Sequence, residues 1–228
     1  MSNEEDEQSM MALVRLHPKD DVEKLWNSVL ADLGGYESKE ITPFYASQSA
    51  QGFVSISLHA RNPDSIMEFL TQQICRIDGL SDSHTIPLIK LAFLPILKDT
   101  PATMGRYTVE VKVHPQDYSS LYESLLEKKY GADLVLAYIA YLFGEYDLFM
   151  SLVAKDQKQV EEFAKSLDKT RRVIETKITP IRRTLLLARK EDWDRFRARL
   201  LYRPSWLKPE VESLYDFNLS VTEYGSPY

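Results

Sequence analysis

The chain repeats itself, and that repetition constrains its fold more than any other feature. VRLHPKD (14–20) aligns with VKVHPQD (111–117), and FVSISLHARNPDSIMEF (53–69) aligns with DLFMSLVAKDQKQVEEF (147–163). SHTIPLI (83–89) aligns with KITPIRR (177–183), in the same order in both halves. A slight change of offset after the first match implies a small indel in a loop or at a helix end. A chain of 228 residues therefore holds two divergent copies of one unit of about 90 residues.

Each copy reads as β-α-β-β-α-β. In the second, YTVEVKV (107–113) alternates and is β-branched, which predicts a strand. Pro115 closes it, because proline cannot donate to a central ladder and suits a helix start. Tyr118, Leu121, Tyr122, Leu125 and Leu126 then fall at helical spacing. Strands are expected over 134–143, 147–154 and 173–184. Asp156 and Gln159 form a capping box ahead of the stripe Val160, Phe163, Ala164 and Leu167. In the first copy, Asn62-Pro63 is the matching N-cap and N1 pair. This order is the ferredoxin-like motif, strand order 4-1-3-2, with both helices on one sheet face. The fold class is thus α+β: tandem ferredoxin-like βαββαβ units whose sheets pair as a dimeric α/β barrel-type assembly.

Parity assigns the faces. Val14, Leu16, Ile56, Leu58, Val111, Val113, Met150 and Leu152 should meet the helices. Arg15, His17, Ser55, Ser57, His59, Glu110, Lys112, Phe149 and Ser151 should face the other way. LVLAYIAYLF (134–143) is apolar at odd and even positions alike, so the second face is expected to be covered in part. Charges such as Arg15 and Lys112 on that face need pairing, water or a ligand.

Between Phe143 and Tyr146, Gly144-Glu145 predicts a two-residue type II′ hairpin with Phe143 and Tyr146 paired across it. Asp147 then shares the helix-free face with Phe149 and Ser151.

Composition narrows the function. One cysteine, Cys75, rules out an intrachain disulfide framework and a cysteine zinc site; its apolar flanks predict packing. No apolar run reaches the ~20 residues a bilayer requires. MSNEEDEQS at the N-terminus lacks the apolar core of a signal peptide and reads as a disordered acidic tail, 1–9. A reducing cytoplasm fits. The four histidines show no metal-ligand spacing, although His17 and His84 fall where antiparallel strands would bring them close. No phosphate loop, dinucleotide fingerprint or nucleophile elbow is present. The net charge is −6, yet 165–208 is rich in arginine and reads as a solvated face or a contact for an acidic partner. Beyond it, 190–228 is expected to be a helix (Trp193, Phe196, Leu200 and Leu201 on one side) and an apolar packing arm.

FGEYDLFMSLVAKDQKQVEEF (143–163), with IETKITPIRRTLL (174–186), resembles the Gly-x-Tyr-Asp hairpin and fourth strand of the Lrp/AsnC effector-binding (RAM) domain. The resemblance covers about 106–188. The first copy, 10–97, carries Gln51-Gly52-Phe53 in place of Glu-Tyr-Asp. The family resemblance implies a dimeric assembly binding an amino acid or related small metabolite near Gly144, Tyr146, Asp147 and Thr179. Arg15 and Lys112 join that set as charges on the helix-free face. Too few residues precede the first strand for the family's helix-turn-helix, so direct DNA binding is not expected. The leading expectation is therefore a cytoplasmic, non-enzymatic effector-binding protein for transcription regulation. It would need no cofactor, metal or catalytic residue, and would act as a homo-oligomer or with related regulators. The alternative is a paired-sheet α/β barrel enzyme, haem- or small-molecule oxygenase-like.

Overall fold

The computed structural model describes residues 10–36, 38–101 and 103–216. The acidic stretch 1–9 and the end of the arm from 217 onward, Phe217 included, lie outside the described residues. The chain is mixed α+β with antiparallel sheets and divides into two compact units. One comprises the chain up to Ile89 with Arg183–Trp193; the other comprises Lys90–Arg182 with the chain from Asp194.

The first unit runs β1 (Met10–Pro18), α1 (Val22–Leu33), β2 (Ile41–Ser49), β3 (Val54–Ala60), α2 (Pro63–Gln72) and β4 (Leu80–Phe93), whose last residues belong to the second unit. Its sheet order is β4-β1-β3-β2. Asp21 caps α1 by accepting from Glu23 N–H (2.9 Å), and Asn62 caps α2 by accepting from Ser65 N–H (2.9 Å). Leu25, Trp26, Val29 and Leu33 place one face of α1 on Val14, Leu16, Ile56 and Leu58. Gly34 ends the helix where a Cβ would meet Leu30 O at 2.5 Å, so no larger residue fits without a backbone shift. Pro43 is accommodated because β2 changes register between Pro43 and Tyr45.

The second unit adds the two-residue strand β5 (Ile96–Leu97), then β6 (Gly105–Val113), α3 (Tyr118–Leu126), β7 (Leu134–Leu142), β8 (Leu148–Ala154), α4 (Gln157–Asp168) and β9 (Val173–Leu186). Its sheet order is β9-β6-β8-β7. Asp156 caps α4 through Gln159 N–H (3.0 Å). Val109, Val111, Met150, Leu152 and Ile178 form the helix-side core with Leu121, Leu125, Val160, Phe163 and Leu167. α5 (Lys190–Arg199) follows β9, then α6 (Pro209–Glu212) and β10 (Tyr215–Asp216), which pairs with β5. The arm packs on its own unit: Trp206 lies against Tyr215 (ring centroids 5.4 Å apart), and Glu127 accepts from Ser205 N–H (2.8 Å), Ser205 Oγ (2.6 Å) and Tyr202 Oη.

Two local expectations are corrected. The hairpin is not a two-residue turn. Five residues, Phe143–Asp147, separate β7 from β8, and Leu142 N–H donates to Asp147 O (2.8 Å) across the neck. Phe143 is exposed and Tyr146 buried, so they do not pair; Gly144 adopts φ +145°, which side-chain-bearing residues rarely reach. Cys75 is not packed: it is exposed, with Sγ donating to Thr71 O (2.7 Å).

Candidate functional site

The helix-free face of the second unit's sheet has a polar half and an aromatic half. Register makes the polar half. β6 and β9 set Thr108 opposite Thr179, Glu110 opposite Lys177 and Lys112 opposite Glu175. Facing opposite charges at such positions attract across the ladder. On its other side β6 sets Glu110 opposite Phe149 and Thr108 opposite Ser151. Burial is deep: Arg106 is 3% exposed, Glu110 2%, and Thr179 and Ser151 1% each. Charged side chains are rarely buried so fully unless they are paired or serve a ligand.

The aromatic half is a close stack. Phe149 lies on Tyr138 (5.9 Å between centroids), Tyr138 on Phe93 (5.4 Å) and Phe93 on Phe196 of α5 (6.4 Å). The Arg197 guanidinium sits 5.9 Å from the Phe93 ring and donates to Leu94 O (3.4 Å), fully buried.

Five of the six residues read from the sequence as ligand-binding lie in this unit. Gly144 is exposed at the hairpin tip. Tyr146 donates to Glu175 Oε1 (2.8 Å), with Lys177 Nζ 5.9 Å from its ring. Burial, then the Glu175 hydrogen bond, push its phenol up to about 12. Lys112 faces Glu175, so Tyr146, Glu175 and Lys112 form one group at the hairpin end. Asp147 is engaged by its own chain: Oδ2 accepts from Val113 N–H (2.8 Å) and Oδ1 from Tyr118 Oη (2.5 Å). Thr179 is four residues along β9 from Glu175, roughly 13 Å away at strand spacing, so it is not in that group. Arg15 lies in the first unit, its guanidinium 5.4 Å from the Phe53 ring, and is described with that unit only.

Sequence reasoning did not single out Arg106, Tyr138 or Arg197. Arg106 was legible, since it continues the parity of Thr108, Glu110 and Lys112. Tyr138 follows a register shift between Leu136 and Tyr138 that breaks simple alternation. Arg197 sits among solvent-facing arginines, with no local signal of burial.

In the first unit, register sets His17 opposite Asp82 and Arg15 opposite His84, so the two histidines are not direct partners. Among the described residues no group of three or more His, Cys, Asp or Glu could hold a metal ion. Nor, among these residues, is any helix long and apolar enough to cross a membrane.

No family model matches the chain, and no curated protein aligns with it. Solved structures do match. Chlorite dismutase from Candidatus Nitrospira defluvii superposes with a TM-score of 0.52 at 10% identity, over 76% of this chain and 90% of that one. The fold is similar to that of chlorite dismutase. The siroheme decarboxylase NirDL matches as well, at TM-score 0.52 and 9% identity, over 90% of this chain and 77% of its own. Its complex with an iron-uroporphyrin III analogue matches at 0.52 and 10%, over 77% and 72%. These likenesses correct the transcription-regulation expectation: the matching folds are those of a dismutase and a decarboxylase.

A tetrapyrrole iron, which the last neighbour raises, does not suit the residues present. β6, β7, β8 and β9 carry no histidine to serve as an axial ligand. In the second unit the stack Phe149–Tyr138–Phe93–Phe196 already fills the apolar half of the helix-free face. In the first unit His59 lies tilted on Phe44 (6.4 Å), and Trp193 covers Phe44 edge-on (5.1 Å). No chemical step is therefore drawn through such a group.

Proposed function

We propose that the protein is a small-molecule enzyme of the paired-sheet α/β barrel type, built from tandem ferredoxin-like repeats and working in the cytoplasm. The observation that carries this reading is the burial of Arg106 and Glu110 on the helix-free face of the second sheet, beside an aromatic layer. The likeness in fold to chlorite dismutase and siroheme decarboxylase supports it.

The chemistry follows from the side chains. Phe149 and Tyr138 offer apolar faces to an aromatic body, and Arg106 offers a planar fork to a carboxylate or phenolate. Glu110, between Phe149 and Lys177, is placed to take a proton from the substrate, and Lys177 offsets the charge that develops. Tyr146, its phenol held protonated, is a hydrogen-bond donor at the hairpin end. Substrate entry requires Phe196 and Arg197 of α5 to lift from Phe93 and Leu94.

The test is oxygen uptake and carbon dioxide release by the purified protein over a panel of hydroxyaromatic acids. Turnover on at least one is expected, with Glu110→Gln lowering kcat by about 10²–10⁴ at unchanged melting temperature. No turnover on any member, or full activity in Glu110→Gln, overturns the reading.

A further inference from the structure

The first unit holds a cavity of about 400 Å³, away from every residue discussed above as a site. That volume lies within the range of small-molecule sites, roughly 300–1,000 Å³. Gly35, Tyr36, Ser38, Lys39 and Thr42 line it from the α1–β2 connection; Leu187, Ala188, Arg189 and Asp192 line it from the end of β9 onward.

Its chemistry is one-sided. Tyr36 is held edge-on to Phe69 (5.4 Å, 66° between planes), and Leu187 is buried beside it, giving an apolar wall and floor. The peptide N–H groups of Leu187 and Ala188 are both spent on Phe44 O (2.8 and 3.3 Å), so the floor supplies no donors. Donors come from side chains instead. Ser38 Oγ accepts from Glu40 N–H (3.1 Å), which leaves its own O–H to donate elsewhere. Asp192 Oδ2 fixes the Arg189 guanidinium through Nε (2.7 Å) at the cavity edge. Lys39 has no ion pair among the described residues. Among the described lining residues, two cations stand against one carboxylate, a net positive wall. A neighbouring cleft of about 210 Å³ shares Tyr36 and Ser38 but is lined by Glu40 and Glu68 and, among the described residues, by no lysine or arginine. The two spaces therefore differ in sign, and an anion is directed to the first.

We propose that this cavity binds a small organic anion, its carboxylate or phosphate against Lys39 and Arg189 and its apolar body on Tyr36 and Leu187. The site lies wholly in the first unit and is independent of the enzyme reading.

The proposal is tested on the full chain, uniformly ¹⁵N-labelled, by NMR titration with benzoate and phenyl phosphate. Benzamide and benzamidine serve as the neutral and cationic analogues. At least one anionic probe is expected to shift the amides of Gly35, Ser38 and Ala188, and to bind about tenfold tighter than benzamide. Whether benzoate or phenyl phosphate binds tighter identifies the headgroup. Lys39→Glu, an exposed change, is expected to weaken the anionic probe about tenfold and leave benzamide unaltered. No shift at these amides with either anion, equal binding of benzamide or benzamidine, or an unaltered response in Lys39→Glu overturns the proposal.

Discussion

Tyr118, the first residue of α3, donates its hydroxyl to Asp147 Oδ1 at 2.5 Å, while Asp147 Oδ2 accepts from Val113 N–H at 2.8 Å. One carboxylate, immediately ahead of β8, thus joins the end of β6 to the start of α3. The acid that opens an apolar strand has a structural use reaching across 29 and 34 residues of chain.

Asp147→Ala should therefore cost about 2–4 kcal/mol, because it strands a main-chain N–H and a hydroxyl that a charged acceptor now satisfies. Tyr118→Phe should cost about 1 kcal/mol and be non-additive with Asp147→Ala. Urea denaturation of the two single variants and the double variant measures both. Additive losses would show that the pair is not coupled.

Glu127 ties down the arm. Hydrogen bonds from Ser205 and then Tyr202 hold its carboxyl below the usual range. A depressed folded pKa means that the stabilisation is present above the unfolded value of 4.5 and is lost as pH falls through the folded value. Trp206 fluorescence should report loosening of the arm only in acid, below about pH 4.5. In Glu127→Gln that acid transition should disappear.

The Tyr146 phenol, pushed up to about 12 from an ordinary 10.0, has the opposite sign. The folded chain keeps this proton where the unfolded chain loses it. Its contribution is therefore full below pH 10 and is lost as pH rises towards about 12. Ultraviolet titration should assign one late-ionising phenol to Tyr146 by its absence in Tyr146→Phe. That variant should also lose about 1 kcal/mol with the Glu175 hydrogen bond.

Trp193 is fully buried, edge-on to Phe44 (5.1 Å) and Tyr45 (5.5 Å). Trp193→Ala should cost about 3–5 kcal/mol, as a large aromatic leaving a cavity does. Thermal unfolding measures it; a loss under about 1 kcal/mol would show that α5 is only loosely seated there.

Much of the framework was legible from local pattern. Ile56, Leu58, Met150 and Leu152 face the helices as alternation required, and Asn62 and Asp156 cap α2 and α4 as their positions required. The candidate site was legible only in part. Parity put Glu110 and Lys112 on the helix-free face and extends to Arg106, whereas the loop length at Phe143–Asp147 could not be read from Gly144-Glu145 alone. Hairpin geometry depends on where the ladder stops, and the neck bond from Leu142 to Asp147 decides that.

The sequence by itself determined the element order and the helix-facing side of the strands, because these are written in spacings of two and of three to four residues. Only the tertiary structure decided which groups are set together: Glu110 opposite Lys177 and Phe149 in the ladders, Asp147 bonded to Tyr118, Arg197 against Phe93. Those contacts follow from strand register and from where α5 lands. Both are settled by packing between residues distant in the chain, which no local periodicity encodes.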